Sequence, residues 1–206
     1  MTARRLVVVS AGLSQPSSTR LLADQLAAAT RAELDGLTID AGTRVIEARE
    51  HAHDIMNNLL TGFASAGLRE VLDAVAGADG LIAVTPIFNA SYSGLFKSFA
   101  DTLGNLSLVD KPVLIAATGG TARHSLALEH AVRPLFVYLG AVVVPTSIFA
   151  APEDWAGSGD TADEALRERI RRAASELAVQ MSHREPATVP DPLALPAPFE
   201  DLLTGP

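Results

Sequence analysis

The chain has 206 residues, 48% of them hydrophobic and 5% aromatic, which is material for one compact domain of helices packed on buried strands. Its 16 basic and 24 acidic residues leave a formal charge of −8, which argues against nucleic acid or an anionic membrane as the main partner, since both demand a basic face. There is no cysteine, so disulfides, thiolate metal sites and cysteine nucleophiles are excluded. No apolar stretch reaches the roughly 18 residues of a membrane span, and the opening MTARRLVVVSAGL is short for a secretory signal. A cytoplasmic location is therefore expected.

The apolar run at 6–10 reads as a buried strand, and Leu22, Leu26 and Ala29 then fall on one stripe of a helix. The more alternating run at 44–48 suits a sheet edge. A helix is expected over 68–79, with Gly77 or Gly80 as its stop, followed by a buried strand at 80–85. Helix, strand, helix and strand follow at 92–103, 113–118, 125–139 and 141–145. Leu166, Ile170, Ala173, Leu177 and Met181 share the face of a last helix, with Arg and Glu opposite. Strand–helix alternation along the whole length predicts a doubly wound α/β domain with a parallel sheet, over residues 1–184. The Pro-rich stretch 185–206 is expected to be an extended tail, whose Leu193, Leu195 and Phe199 could dock on the body or on a second subunit.

In such a sheet, ligands bind beyond the carboxyl ends of the strands, so the loops after the first, third and fourth strands are informative. The first, SAGLSQPSSTR (10–20), runs from a strand into a helix N-terminus, where free amides and the helix dipole attract an anion. Ser10, Ser17, Ser18 and Thr19 add hydroxyls, and Arg20 adds charge; the structural alternative is a plain helix cap. Neither G-x-G-x-x-G nor G-x-x-x-x-G-K-[ST] is present. The second loop, within TPIFNASYSGLFKSFAD (85–101), turns at Pro86 and offers Ile87 and Phe88 to a flat ligand, with Asn89 and Ser91 as polar contacts. Its alternative is a capped loop with Phe88 filling a core gap. The third, ATGGTARH (117–124), has paired glycines that let backbone approach a ligand, with Thr118 and Thr121 beside them; an ordinary turn is the alternative.

Together these segments, with ATGGTARHSLALEHAVRPLFVYLGA at 117–141, resemble the NAD(P)H-dependent FMN reductases of flavodoxin-like fold. The likeness is greatest to reductases that supply reduced flavin to two-component monooxygenases, including the group paired with luciferase-like monooxygenases, and it spans residues 6–150. The resemblance implies a five-stranded parallel sheet of order 2-1-3-4-5 with helices on both faces and FMN at the strand ends. It implies that Ser10, Ser17, Ser18, Thr19 and Arg20 surround the FMN phosphate. Pro86, Ile87, Phe88 and Asn89 would line one side of the flavin, with Ser91 nearby; Phe88 stands where relatives often carry Tyr. Thr118, Gly119 and Gly120 would border the pyrimidine edge, their amides facing charge that grows there on reduction. His124 is either a loop cap or a contact for the pyridine nucleotide. In some sulfonate-linked members an extra Tyr or His makes a π-bulge at the subunit interface, and the matching position is His130.

The chemistry implied is hydride transfer from NADPH or NADH to FMN, which needs no protein acid or base; no catalytic side chain and no metal ligand are named. Arg123 is a candidate for a 2′-phosphate, or else a solvated arginine. Partners implied are FMN, a pyridine nucleotide, a flavin-dependent monooxygenase, and further copies of the chain as a homodimer or homotetramer. Two other readings in the same fold are an FMN-retaining quinone or azo reductase and a flavodoxin-like electron carrier. A non-enzymatic interaction domain is the last.

Overall fold

The computed structural model describes residues 3–104, 107–156 and 161–185. Strand β1 (Arg4–Ser10) is central, with β2 (Ala41–Glu47) parallel on one side and β3 (Gly80–Phe88) parallel on the other. The alternation of β1 sends Val7 and Val9 to one core and Leu6 and Val8 to the other. Helix α1 (Ser18–Gly36) covers the second of these faces through Leu22, Leu26 and Leu34. Each such fully buried aliphatic side chain contributes about 1.5–3 kcal/mol. On the opposite face lie α2 (Ala52–Thr61) and α3 (Ala66–Ala76), the latter capped by Ser65, whose hydroxyl accepts from Leu68 N at 3.2 Å. Helix α2 was not expected: only Ile55 of it is buried, while Met56, Leu59 and Leu60 are exposed, so no periodic stripe marks it.

Strand β3 ends in a tight hairpin with β4 (Ser91–Tyr92), turned by Asn89 and Ala90 at φ 49° and 68°. This displaces the helix expected at 92–103: α4 spans Gly94–Asp101 and starts behind Ser93, whose hydroxyl accepts from Phe96 N at 3.2 Å. Strand β5 (Pro112–Thr118) pairs parallel with β3. The helix expected at 125–139 is also broken. A 3-10 turn at Ala122–His124 and a π-helical turn at Leu128–Val132 precede α5 (Arg133–Tyr138). The suspected bulge at His130 is thus present, with Arg133 N donating to Leu128 O across the wide turn. Pro134 supplies the cause, because it has no N–H to return to His130 and its ring crowds that carbonyl.

The sheet runs β2-β1-β3-β5 and then reaches a fifth position split between β6 (Val142–Val143) and β7 (Ile148–Ala150), both parallel to β5. The order of positions is the expected 2-1-3-4-5, yet the strand count is seven rather than five. The difference is β4 plus the break in the last strand, where Pro145 cannot donate. A short antiparallel pair, β8 (Trp155–Ala156) and β9 (Thr161–Ala162), leads to α6 (Glu164–His183), which packs beside α1 through Ile170, Leu177 and Met181. No described helix is long and apolar enough to cross a membrane. The expected tail lies outside the described residues, Glu185 apart.

At the amino ends of the strands sits Lys111, fully buried. Its ammonium donates to Val75 O and, at 2.8 Å, to Ala76 O, which caps α3. Burial first, and then the charge of Arg184, pushes Lys111 down to about 7.

Candidate functional site

Three loops meet at the opposite end, beyond the carboxyl ends of β1, β3 and β5. In the first, a Cβ on Gly12 would lie 2.1 Å from Ser17 Oγ and 3.1 Å from Thr19 Cβ, so only glycine lets the loop fold this closely onto the helix start. Ser17 is the N-cap of α1 and accepts from Arg20 N at 3.2 Å. The amides of Ser18 and Thr19 fall in the first turn, where no intrahelical carbonyl serves them. Thr19 Oγ1 shares a 2.8 Å hydrogen bond with Thr118 Oγ1, both buried, which ties the first loop to the third across the top of β3.

The second loop is held by Thr85, whose hydroxyl donates to Pro86 O at 2.9 Å and accepts from Ser93 N at 3.1 Å. Ile87 is buried, while Phe88 is 48% exposed at the rim. In the third loop, Gly119 N donates to Ala150 O at 3.1 Å, and a Cβ there would lie 2.7 Å from the Phe149 ring. Gly120 faces open space.

The loops enclose a cleft of about 430 Å³, within the size range of small-molecule sites. Of the residues expected to bind, it gathers Ser18 and Thr19 from the first loop, Pro86, Ile87 and Phe88 from the second, and Thr118, Gly119 and Gly120 from the third. The others lie elsewhere. Ser10 is buried at the end of β1, and Ser17 faces an adjoining cavity. Asn89 and Ser91 form the hairpin beside Phe88, and His124 sits exposed in the 3-10 turn. Arg20 is committed sideways: its Nε donates to Asp24 at 2.8 Å and its Nη1 to Glu47 at 2.5 Å. Hydrogen bonding to Asp24 leads the causes that raise its pKa further.

Leu13, Ser14 and Pro152 also line the cleft. Pro152 follows β7 at the same carboxyl end of the sheet as the three loops, so the strand-end rule points to it as well. No lining side chain is ionisable. The arrangement suits a planar ring between the Pro86–Phe88 and Gly119–Gly120 walls. It also suits a phosphate at the helix N-terminus, where hydroxyls and amides are donors and the dipole favours negative charge. The open approach at Gly120 and the hydroxyl set at Ser14, Ser18 and Thr19 fit FMN.

Comparison with known proteins supports this reading. Over residues 4–156 the chain matches the NADPH-dependent FMN reductase family, a span that holds all three loops. It is 38% identical to a Pseudomonas aeruginosa FMN reductase (NADPH) over 174 residues, 84% of this chain and 90% of that protein. It is equally 38% identical over 175 residues to the NADH-dependent FMN reductase SfnF of Pseudomonas fluorescens, with the same coverage. Among solved structures, an oxidoreductase from Corynebacterium diphtheriae superposes with a TM-score of 0.85 at 43% identity, covering 90% of this chain and all of the other. A WrbA-like flavodoxin from Agrobacterium tumefaciens, at 19% identity, covers 89% of this chain and all of that one with a TM-score of 0.60, which establishes the flavodoxin-like fold alone. On the family match and these identities, the chain belongs to the NADPH-dependent FMN reductases.

Proposed function

We propose that the three-loop cleft is where this reductase brings FMN and NADPH or NADH together, and that it hands reduced FMN to a flavin-dependent monooxygenase. The observation that carries this is the convergence of hydroxyl, aromatic and glycine walls on one cleft without an ionisable side chain. When bound there, FMN supplies N5 as the acceptor of a hydride from C4 of the nicotinamide. The chain's own residues position and exclude. Ser18 and Thr19, with the first-turn amides of α1, hold the phosphate, while Ser17 caps that helix start and Ser10 is buried at the strand end that leads into the loop. Pro86, Ile87 and Phe88 form one wall, and Asn89 and Ser91 set its tip through the hairpin. The amide of Gly120, beside Thr118, faces the pyrimidine edge and stabilises negative charge there, while Gly119 N stays on the carbonyl of Ala150 and holds the loop in place. His124, exposed in the turn that follows these glycines, is left to contact the pyridine nucleotide or to cap the loop.

The pairing of Arg20 with Asp24 and Glu47 supports flavin as an exchanging substrate, since it leaves the phosphate to neutral donors and a helix dipole worth about 0.3–1 kcal/mol. A relative named NADH-dependent FMN reductase and another named FMN reductase (NADPH) support both nucleotides as donors. Exposed Val137 and Tyr138, the latter 88% exposed, continue from the π-helical turn and support a homodimer or homotetramer that covers them. We take the domain as 1–184 with a tail at 185–206, in a cytoplasmic enzyme that binds neither nucleic acid nor membrane.

The test is anaerobic stopped-flow of the purified protein with NADPH and NADH, with and without added FMN. Bleaching of the flavin band over many equivalents of free FMN is the expected result. Bleaching limited to one retained equivalent points instead to a quinone-type reductase, and none with either nucleotide refutes the enzyme reading.

A further inference from the structure

Behind the first loop lies a second cavity, of about 550 Å³. It shares Ser14 and Ser18 with the cleft, so one loop separates the two spaces. Its walls differ in kind. One is apolar, made of Pro16, Leu21 and Trp155. Trp155, the chain's only tryptophan, is partly buried against the core that α1 and α6 share. The other wall is two carboxylates, Asp24 on α1 and Glu47 at the carboxyl end of β2.

Both carboxylates are held by arginines. Glu47 Oε1 accepts from Arg20 Nη1 at 2.5 Å, and its Oε2 from Arg49 Nε at 2.7 Å. Asp24 accepts from Arg20 Nε at 2.8 and 3.0 Å. Gln15, with its amide oxygen turned toward Arg49, accepts from that guanidinium and closes the loop over it. Two cations and two anions cancel, so this is a poor place for a free dianion. Each carboxylate oxygen nonetheless keeps acceptor capacity for a hydroxyl. A flat indole lining the same cavity as acceptors for a vicinal diol is chemistry that recognises a nucleoside. In doubly wound sheets that bind dinucleotides, an acidic side chain reads the ribose in this way.

We propose that this cavity receives the adenosine half of NADH, with Trp155 stacking on the purine and Glu47 accepting from the free 2′- and 3′-hydroxyls of the ribose, a pair that a 2′-phosphate would remove. The proposal rests on the reductase reading, because a nicotinamide nucleotide is the ligand that would reach from the cleft into the cavity beside it.

The single indole provides the test. Fluorescence of Trp155 is titrated with ADP-ribose, with FMN absent and with FMN saturating. Saturable quenching in both, without release of FMN, is expected. Trp155→Leu, which keeps bulk but not the aromatic face, is expected to raise the KM for NADH about 10-fold, the usual worth of one aromatic–base stack. The kcat and the KM for FMN then stay within about twofold, as for loss of uniform binding. Trp155→Phe restores most of the KM. Unchanged KM in Trp155→Leu overturns the proposal, and so does ADP-ribose that fails to quench or that displaces FMN. If the variants do not fold, the wild-type titration decides alone. The reductase reading fails separately, when wild-type protein reduces FMN with neither nucleotide, and the ADP-ribose titration still reads the cavity.

Discussion

Gly12→Ala separates a loop that binds phosphate from one that merely caps a helix. The backbone at Gly12 is outside the left-handed region, so alanine is conformationally admissible, and the conflict is purely steric. The new methyl would sit 2.1 Å from Ser17 Oγ, 3.1 Å from Thr19 Cβ and 3.3 Å from Ser17 Cβ. Apolar contacts settle near ~3.5–4 Å, so rotating the Ser17 hydroxyl away is insufficient and the helix start has to shift. That breaks the Ser17–Arg20 cap, worth about 1 kcal/mol, or roughly 2–4 °C in Tm for a chain of this size. The same shift moves Ser18 and Thr19. Losing one hydrogen bond to a charged phosphate costs about 1.5–3 kcal/mol, so FMN affinity is expected to fall at least about 10-fold. Thermal melts and FMN titration measure the two effects. Ser65→Ala is the control, since it removes the equivalent cap of α3 far from the cleft and should lower Tm alone. If Gly12→Ala loses as much Tm as Ser65→Ala yet binds FMN as wild type does, the loop is structural and the phosphate assignment is wrong.

Three further outcomes are expected. Phe88→Ala should weaken FMN binding about 10-fold through the lost ring contact, whereas Phe88→Tyr keeps the wall and should bind as wild type; equal loss in both would remove Phe88 from the site. Ala90, at φ 68°, carries strain that glycine lacks, so Ala90→Gly should gain about 0.5–1 kcal/mol after the entropy cost of glycine in the unfolded chain, visible as a raised denaturation midpoint. Lys111, held at about 7 when folded against 10.5 unfolded, makes the unfolded state bind more protons between those values. Stability should therefore rise from pH 7 toward 10, by at most about 5 kcal/mol, with the carbonyls of Val75 and Ala76 keeping it below that bound. Lys111→Met should flatten this rise in urea melts across pH, and a wild-type stability that falls over the same range would contradict the assignment.

The parallel sheet was legible because buried strands such as 80–85 and 113–118 are unbroken apolar runs, and periodicity found α1, α3 and α6. Local features escaped wherever tertiary contacts override pattern. The hairpin at Asn89 and Ala90 needs two residues in the left-handed region without the Asn-Gly signature, so the sequence pattern ran a helix through Tyr92. Helix α2 buries one residue and shows no stripe. That Pro86, Ile87, Thr118 and the paired glycines gather at one cleft follows from their place at strand ends alone. The direction of Arg20 does not: its side chain turns toward Asp24 one helical turn on and toward Glu47 on the neighbouring strand, and that choice depends on where β2 ends.

The π-helical turn and the split fifth strand form one chain of causes that ends at the cleft. Pro134 cannot close an ordinary helical hydrogen bond, so the chain widens at Leu128–Val132. Arg133 then reaches two ways. Its Nε and Nη2 grip Glu129 at 2.6 and 3.0 Å, while Nη1 and Nη2 donate to the carbonyls of Val144 and Pro145 at 3.0 and 3.1 Å. Those carbonyls would otherwise belong to a continuous last strand. With them taken, pairing to β5 stops after Val143 and resumes at Ile148. The resumed segment is what supports the third loop: Ala150 O accepts from Gly119 N, and the Phe149 ring fills the space a side chain at 119 would need. Glu129 is secured in turn by Ser147 at 2.9 Å, and the Arg133 hydrogen bonds hold its carboxyl below the usual range, so the clamp stays charged at neutral pH. A proline and an arginine on that helix thereby help to hold the loop that carries Gly119 and Gly120.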